Sequence, residues 1–421
     1  QEATIWECRP SPWSSPTTVY DFTQQFLDAT RDAGVPYVVA SAGDEEAVNP
    51  GYSIPAVPFL TTVHDPATFQ PLFGKDSADC GFVIGDALLV REDLAGSVTA
   101  VGTSEYDTRY AVVPVVFTID RGYAWADLTR GERTVRVVTT HLESQLSSDG
   151  VPASASQAQQ LVADLAPTTG PLVVMGDFNS DPRDPRAEGA PNPGGQPLAN
   201  AACSAQPQDP TAQTADAACS AYWTMVDAGF TDAGPDAQDP ANWSWGAAAD
   251  LAGPDPARLP VALAGGNDAG FTDRLDYVFV RNGASASAAR VIGNRWPQGP
   301  DLWACDDPSQ IQTTQQSSAI LAAVGKGIPI AGEGVCLPTD HAGLVVQVDL
   351  AAAAPATAAE PAPDDHQPLV RISLLGWLVL ILGVLALLVV LVVWGIWRLA
   401  TRGRRRRRRE AQAMESTMSG P

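Results

Sequence analysis

The chain has 421 residues and a formal net charge of −22, enough length for one large domain or two modest ones. Residues 371–421 carry nine arginines and two glutamates, a net of +7, whereas residues 1–370 carry the other 17 basic and 46 acidic residues, a net of −29. Such an acidic body excludes a protein that binds nucleic acid mainly by neutralising phosphates. It does not exclude a nuclease that uses a metal ion and a local basic patch.

Predicted helices and strands alternate over residues 1–350. Residues 18–34 have apolar side chains at helical spacing and end in glycine, which predicts a helix, and residues 156–167 predict a second one. Four short, β-branched, apolar runs predict strands: 135–142, 171–178, 274–281 and 342–350. Nearly continuous apolar runs indicate strands buried on both faces, so we predict an α/β (α+β) fold with a sheet covered by helices or by a second sheet.

Residues 183–270 differ in composition from the rest of the body. They are rich in Pro, Gly, Ala and Asp, with short apolar islands at 222–230 and 242–246. We predict a long, irregular insertion in a domain that spans residues 1–350.

The six cysteines include no CxxC or other closely spaced pair typical of metal sites. Dispersed cysteines in an exported domain more often form disulfides than zinc sites. Sequence order favours two pairs and leaves a third: Cys203–Cys219, Cys305–Cys336 and Cys8–Cys80.

The body is followed by a predicted membrane anchor. Residues 351–370 are rich in Ala and Pro and predict a flexible stalk. Residues 371–399 predict a transmembrane helix, because 26 consecutive residues, 372–397, carry no charge. At about 1.5 Å per residue they would extend roughly 39 Å, enough to span ~30 Å of hydrocarbon.

Arginines flank this apolar segment unequally. Arg371 alone precedes it, whereas Arg398, Arg402 and Arg404–Arg409 follow it. The positive-inside rule therefore predicts a single-pass protein of the cell membrane, with residues 400–421 in the cytoplasm and the body outside. An arginine run can also mark nucleic-acid binding, but directly after a spanning helix we favour contact with anionic lipids.

Polar clusters lie at or just after the ends of predicted strands, with one more at the start of the chain. They are QEA (1–3), THLES (140–144), GDFNSDP (176–182), RLDYVF (274–279) and TDH (339–341). Loops at strand ends are where catalytic side chains are usually held on a rigid scaffold. Glu2, Asp177, Asp276 and Asp340 supply hard oxygen donors suited to Mg²⁺, Mn²⁺ or Ca²⁺, and a histidine held by a carboxylate can activate water.

Each cluster alone has an ordinary structural explanation. The DxN of Asp177 and Asn179 is more often a turn or helix cap, since both side chains bond nearby backbone. Asp276 fits a satisfied buried acid, and His141 fits a core histidine. The ordered set, with each cluster at a strand end, is much harder to explain by chance.

In this order the motifs QE, THLE, GDFN, LDYVF and TDH resemble those of the endonuclease/exonuclease/phosphatase superfamily, over roughly residues 1–350. The resemblance implies a four-layer α/β sandwich of two packed mixed sheets flanked by helices. It also implies a metal-dependent phosphoric ester hydrolase, with Mg²⁺, Mn²⁺ or Ca²⁺ as cofactor and a phosphate ester as substrate.

The resemblance also assigns roles residue by residue. It implies that Asp177 aligns or activates the nucleophile, with Asn179 as its partner in binding phosphate. His341, polarised by Asp276, is expected to contact the scissile phosphate, and His141 is expected to be the second active-site histidine. Metal binding is expected at Glu2 and Asp340, and substrate contact at Asn242 and Trp243.

Two departures from the family pattern stand out. The family has a strand before QE whose final Asn helps bind the metal, and nothing here precedes Gln1, so we expect an N-terminally truncated sequence. The closing motif is TDH rather than the commoner SDH, which leaves the catalytic pair intact.

Three functions are carried forward, and oligomeric state is left open. The leading hypothesis is hydrolysis of a small-molecule or lipid-headgroup phosphate ester outside the membrane. The alternatives are an extracellular nuclease, with DNA or RNA as substrate only, and a non-catalytic surface module that retains the fold.

Overall fold

The computed structural model of the chain describes residues 5–10, 14–61, 78–113, 117–145, 151–183, 219–246, 267, 270–294 and 341–350. Some predictions lie outside these residues: those for Glu2, Asp340, Cys203, the Cys305–Cys336 pair and residues 351–421 with the stalk, transmembrane helix and tail. Among the helices in the described ranges, none combines the length and apolarity needed to cross a membrane.

Strands dominate the described residues. In chain order they are β1 Ile5–Arg9, β2 Thr17–Asp21, β3 Tyr37–Val39, β4 Ser41–Ala42, β5 Glu45–Glu46, β6 Val48–Thr61, β7 Ala78–Ala87, β8 Leu89–Arg91, β9 Val98–Glu105, β10 Tyr110–Val113, β11 Phe117–Ile119, β12 Gly122–Arg130, β13 Arg133–His141, β14 Leu172–Asp177, β15 Thr231–Asp232, β16 Asp276–Arg281, β17 Ala284–Ile292 and β18 Gly343–Leu350. The helices are α1 Phe22–Asp32, α2 Ala153–Leu165 and α3 Ala221–Asp227, with 3₁₀ turns at Glu92–Ser97 and Pro240–Asn242.

A six-stranded mixed sheet is the largest in the described residues, with strand order β15-β16-β14-β13-β12-β9. The β13–β14 pair is parallel and the other pairs are antiparallel. The parallel pair is connected through α2, because parallel neighbours need a crossover connection. The result is a mixed α/β sandwich, in agreement with the predicted fold class.

Strand β12 shows how the two faces of this sheet differ. Its aromatic residues Tyr123 and Trp125 lie on one face, in a cluster with buried residues of α2 and α3, while Ala124 and Ala126 lie on the other. Successive side chains of a strand point to opposite faces, so this alternation lets one strand serve two cores. The small alanines allow close packing against the cluster that includes β3 and β8.

The predicted strands and helices agree with the observed ones except at two places. Strands β14 and β16 are largely buried, as expected from their apolar runs. Strand β18 is not buried on both faces: exposure alternates along it, and only its even-numbered side chains, Leu344 to Leu350, pack on the six-stranded sheet. Within the described residues β18 pairs with β17, and its odd-numbered side chains are exposed.

The predicted helix 18–34 begins later than expected. Residues Thr17–Asp21 form β2, and the helix starts at Phe22, with the Asp21 carboxylate accepting the backbone N–H of Gln24 at 2.9 Å. The β-branched residues Thr17, Thr18 and Val19 favour the pleated conformation, and an aspartate at the N-cap satisfies a free N–H group of the first turn.

A four-stranded antiparallel sheet has the order β2-β1-β7-β6. Cys8 on β1 lies opposite Cys80 on β7, and the two form a disulfide, which confirms that predicted pair. Cys219 is also disulfide-bonded, with a partner outside the described residues.

Part of the predicted insertion has regular structure. Residues 219–246 contain α3, and β15 extends the six-stranded sheet by pairing with β16. Residues 184–218 and 247–266 lie outside the described residues.

Candidate active site

Strand register brings three predicted site residues together. His141 ends β13 and lies opposite Asp177, which ends β14, and Asp177 lies opposite Asp276, which begins β16. Because β14 is parallel to β13 and antiparallel to β16, these three positions meet at the same edge of the sheet. We call this edge, defined by His141, Asp177 and Asp276, the polar end.

The GDFN sequence suits the sharp turn that follows β14. Gly176 has φ of 145°, and a Cβ at this position would overlap the carbonyl oxygen of Thr140 on β13. Asn179 has φ of 46°, in the left-handed region that asparagine tolerates better than most residues. The turn directs the Asn179 backbone N–H to Asp177 Oδ1 at 2.8 Å.

His341 and Asp276 form a hydrogen-bonded pair at the polar end. His341 Nδ1 donates to Asp276 Oδ2 at 2.9 Å, which leaves Nε2 on the opposite side of the ring, 3.6 Å from Asp177 Oδ2. The His341 side chain is 24% exposed, whereas the Asp276 side chain is 9% exposed. A buried carboxylate therefore orients an imidazole that is partly exposed.

Asp177 lies between the two histidines. Its Oδ2 is 3.3 Å from His141 Nε2 and 3.6 Å from His341 Nε2, and the side chain is 2% exposed. Burial raises the pKa of Asp177 above its usual range, and the neighbouring His341 and His141 act against that rise. This is a buried carboxylate whose protonation depends on two adjacent imidazoles.

The Asn179 side chain is fixed beside His141. Its Nδ2 donates to the carbonyl oxygen of Leu142 at 2.8 Å and lies 3.2 Å from His141 Nε2. Asn179 thus contacts both Asp177 through its backbone and His141 through its side chain. Five of the residues predicted from sequence therefore lie in one contiguous group: His141, Asp177, Asn179, Asp276 and His341.

The two residues predicted to line a substrate groove have other contacts. Asn242 Nδ2 donates to the carbonyl oxygen of Asp236 at 2.9 Å. Trp243 is 5% exposed, and the Arg183 guanidinium lies over its ring at 4.7 Å. These contacts of Asn242 and Trp243 are to residues other than the five grouped ones.

The next two residues, which sequence analysis did not identify, do contact the group. Ser244 Oγ donates to Asp276 Oδ2 at 2.7 Å, and the Trp245 ring lies beside that of His341, with centroids 6.1 Å apart. Both belong to the apolar island 242–246, but a serine between two tryptophans has no recognised spacing that would indicate a role.

Arginines close in sequence to the group are paired with carboxylates. The Arg183 guanidinium forms a bidentate ion pair with Asp181, donating from Nε to Oδ1 at 2.6 Å and from Nη2 to Oδ2 at 2.7 Å. Arg274 is fully buried, with Asp232 3.4 Å from its guanidinium. These cations are already neutralised, so a phosphate bound here would need charge compensation from another source.

The donor set fits a hard divalent cation. Ligand atoms of Asp177, Asp276 and His341 all lie within 4.8 Å of one another. Carboxylate oxygens are the ligands that Mg²⁺ prefers, although Asp276 Oδ2 and His341 Nδ1 already bond to each other.

Comparisons with known proteins agree with the motifs. The endonuclease/exonuclease/phosphatase family profile matches residues 84–297. No curated protein sequence matches the chain significantly. A Bacteroides vulgatus structure of the endonuclease/exonuclease/phosphatase type is 12% identical, covering 78% of this chain and 81% of its own, with a TM-score of 0.33. A Bacteroides thetaiotaomicron mannosyl-6-phosphatase is 12% identical, covering 78% and 82%, with a TM-score of 0.32.

The catalytic domain of human Nocturnin is also similar, at 10% identity over 65% of this chain and 67% of its own, with a TM-score of 0.25. The family match itself extends over just more than half of the chain. The chain therefore belongs to the endonuclease/exonuclease/phosphatase family, whose members are generally hydrolases that act on phosphate esters.

Proposed function

We propose that this chain is a metal-dependent phosphoesterase whose catalytic residues are His141, Asp177, Asn179, Asp276 and His341. The observation that supports this most strongly is the placement of Asp177 between two imidazoles, one of which is oriented by the Asp276 carboxylate. A buried carboxylate beside a histidine held in one orientation is the arrangement that general acid–base chemistry needs.

In the proposed reaction a water oxygen forms a bond to phosphorus as the ester P–O bond breaks. Asp177 takes the proton of the water, and the departing alkoxide takes a proton from solvent. Asp276 accepts the Nδ1–H of His341 and so holds the imidazole in its doubly protonated form, whose Nε2–H donates to the phosphoryl oxygens and stabilises their charge. Asn179 and His141 hold the other side of the phosphate.

We assign Mg²⁺, with Mn²⁺ or Ca²⁺ as alternatives, as the cofactor. When bound, the ion neutralises charge on the phosphoryl oxygens, which the paired arginines do not do. The proposed ligands are Glu2 and Asp340, both of which lie outside the described residues.

We favour a small-molecule phosphate ester or a lipid headgroup over nucleic acid as the substrate. The net charge of −29 on residues 1–370 opposes the approach of a polyanion. The partly exposed ring of Trp245 beside His341 offers an apolar surface on which a sugar, inositol or nucleobase ring would pack. The nuclease and the non-catalytic module remain as outcomes of the test.

We further propose that residues 1–350 form a four-layer sandwich, anchored by a transmembrane helix at 371–399 with the domain outside the cell. The uncharged segment and the arginines after it support the anchor. The Cys8–Cys80 disulfide and the disulfide-bonded Cys219 support an oxidising compartment.

The enzymatic test uses purified full-length protein with Mg²⁺ or Mn²⁺. Substrates are p-nitrophenyl and bis(p-nitrophenyl) phosphate, sugar and inositol phosphates, sphingomyelin vesicles, RNA and plasmid DNA. We expect hydrolysis of a small or lipid ester that EDTA and His341→Ala abolish. His366→Ala, in the predicted stalk, is the matched control and should retain activity.

Other outcomes identify the alternatives. Plasmid or RNA cleavage that His341→Ala abolishes, without turnover of small esters, would establish the nuclease. No hydrolysis of any substrate and no Mg²⁺ or Mn²⁺ binding by calorimetry would establish the non-catalytic module. For the location, protease added to intact cells should digest residues 1–350, and their protection would contradict the proposed topology.

A further inference from the structure

Ser244 and Trp245 connect the two halves of the His341–Asp276 pair, and we call them the bridging segment. Asp276 and His341 are 65 residues apart in sequence, so neither positions the other through local structure. The bridging segment lies between them, and each of its two residues forms hydrogen bonds that involve the main chain.

On one side the bridging segment is bonded to the residues before Asp276. The backbone N–H groups of Ser244 and Trp245 both donate to the Asp273 carbonyl oxygen, at 2.8 and 3.0 Å. The Asp273 N–H donates back to Trp245 O at 3.2 Å.

On the other side it is bonded to the chain around His341. The Ala342 N–H donates to the Ser244 carbonyl oxygen at 2.6 Å, and Trp245 forms an antiparallel β-bridge with His341. The main chain of these two residues therefore fixes the distance between the strand that begins at Asp276 and the segment that carries His341.

The Ser244 hydroxyl adds a contact that a merely structural residue would not need. Its oxygen accepts the backbone N–H groups of Leu275 and Asp276, at 3.1 and 3.2 Å. Its only proton is then donated to Asp276 Oδ2, the same oxygen that accepts from His341 Nδ1. The hydroxyl is buried, because Ser244 is 1% exposed.

We infer that Ser244 is a positioning residue for the reaction proposed above: it holds the Asp276 carboxylate in the one orientation that presents Oδ2 to His341. Two donors on a single carboxylate oxygen restrict rotation of the group. Without the hydroxyl, the Asp276 carboxylate loses one of the two donors that direct Oδ2, so the imidazole is held less firmly in its direction.

The inference rests on the proposed function, and its test compares Ser244→Ala with Ser220→Ala in the full-length protein. Ser220 is also 1% exposed, and its hydroxyl accepts the backbone N–H of Trp223 at the start of α3. Ser220→Ala therefore measures how far removal of a buried serine hydroxyl, away from the His341–Asp276 pair, changes kcat. We expect kcat of Ser244→Ala to fall about 10- to 100-fold, the effect of losing one hydrogen bond to a charged group. KM should be unchanged, and Ser220→Ala should keep the wild-type kcat.

A second measurement does not depend on activity. The chain has four histidines, so ¹⁵N-histidine labelling gives a small set of signals in which the Nδ1–H of His341 can be assigned with His341→Ala. Ser244→Ala should shift this proton signal or broaden it through solvent exchange, and Ser220→Ala should not.

Opposite results overturn the inference. A wild-type kcat or an unchanged His341 signal in Ser244→Ala would show that the hydroxyl does not position the pair. If Ser244→Ala does not fold, Ser244→Thr keeps the donor and should retain kcat within about 3-fold; a folded Ser244→Thr as inactive as His341→Ala would contradict the inference. Wild-type protein that hydrolyses no phosphate ester would refute the proposed function, while the signal comparison would still decide the role of Ser244.

Discussion

The six-stranded and four-stranded sheets differ in the contacts that their described side chains make. Among those of the six-stranded sheet, one face belongs to a hydrophobic cluster that includes side chains of α2 and α3. In the four-stranded sheet, Cys8 on β1 and Cys80 on β7 are buried and joined covalently. The grouped polar residues lie at one end of the six-stranded sheet, so the hydrophobic cluster packs on the same strands that carry His141, Asp177 and Asp276.

This comparison predicts that the polar end can be inactivated without loss of stability. Asp276→Asn should lower kcat/KM about 10²- to 10⁴-fold, because the amide no longer stabilises a charged His341. Asp239→Asn, on an exposed turn, is the matched control and should be active. Thermal unfolding should give nearly equal midpoints for both, and a large drop for Asp276→Asn would show that the pair is structural.

The core of the six-stranded sheet should be the most sensitive to truncation. Phe279 is fully buried, with its ring centroid 5.0 Å from that of Phe178. Phe279→Ala should lower the free energy of unfolding by about 3–5 kcal/mol through lost burial and a residual cavity. In urea unfolding, Phe26→Ala should lower the free energy of unfolding by less than about 1 kcal/mol, since Phe26 is 53% exposed. Similar losses for the two variants would contradict the prediction that this core is the more sensitive region.

The four-stranded sheet should depend on its cross-link for stability but not for chemistry. Replacing Cys8 and Cys80 together by serine opens a link between positions 72 residues apart. The free energy of unfolding should fall by about 2–5 kcal/mol. At saturating Mg²⁺, which offsets weaker metal binding by the proposed ligand Glu2 before β1, kcat/KM should stay within about 2-fold of wild type, because none of the five grouped residues lies on this sheet. A proportional loss of activity would show that the two sheets are not independent.

The smallest expected effect is a gain of stability. Burial raises the pKa of Asp164 on α2, although Tyr123 donates a hydrogen bond to it at 3.2 Å. A raised folded-state pKa means that ionisation of Asp164 favours the unfolded chain. The ionised carboxylate therefore lowers the free energy of unfolding above that pKa, and this loss is absent below about pH 3.9. Asp164→Asn should therefore stabilise the protein at pH 7, by less than about 1 kcal/mol because the side chain is partly exposed. The gain should vanish in acid, and a gain that persists there would have another cause.

Much of this arrangement was predictable from the sequence, for a physical reason. Strands β13, β14 and β16 are buried, so their sequences are apolar up to the point where polar residues begin, and that change locates the polar end. The helix α2 follows from buried apolar residues at helical spacing. The Cys8–Cys80 pair was obtained as the remainder from sequence order.

Other features depend on contacts between distant residues, which no local pattern records. The start of α1 was misplaced because Thr17–Asp21 pairs with β1, a tertiary preference that overrides helical spacing. The exposed face of β18 depends on which other part of the chain packs over the strand, and among the described side chains only the even-numbered ones are packed. Ser244 and Trp245 were missed because their roles come from hydrogen bonds to residues about 30 and 100 positions away.

Strand β18 joins two opposite ends of the domain. It starts just after His341 and ends at Leu350, whose carbonyl oxygen accepts from Arg133 at the start of β13. Eight residues at about 3.3 Å each separate these ends by roughly 26 Å. The strand that follows His341 is therefore held at the edge of the sheet away from the polar end, by a contact that includes none of the grouped residues.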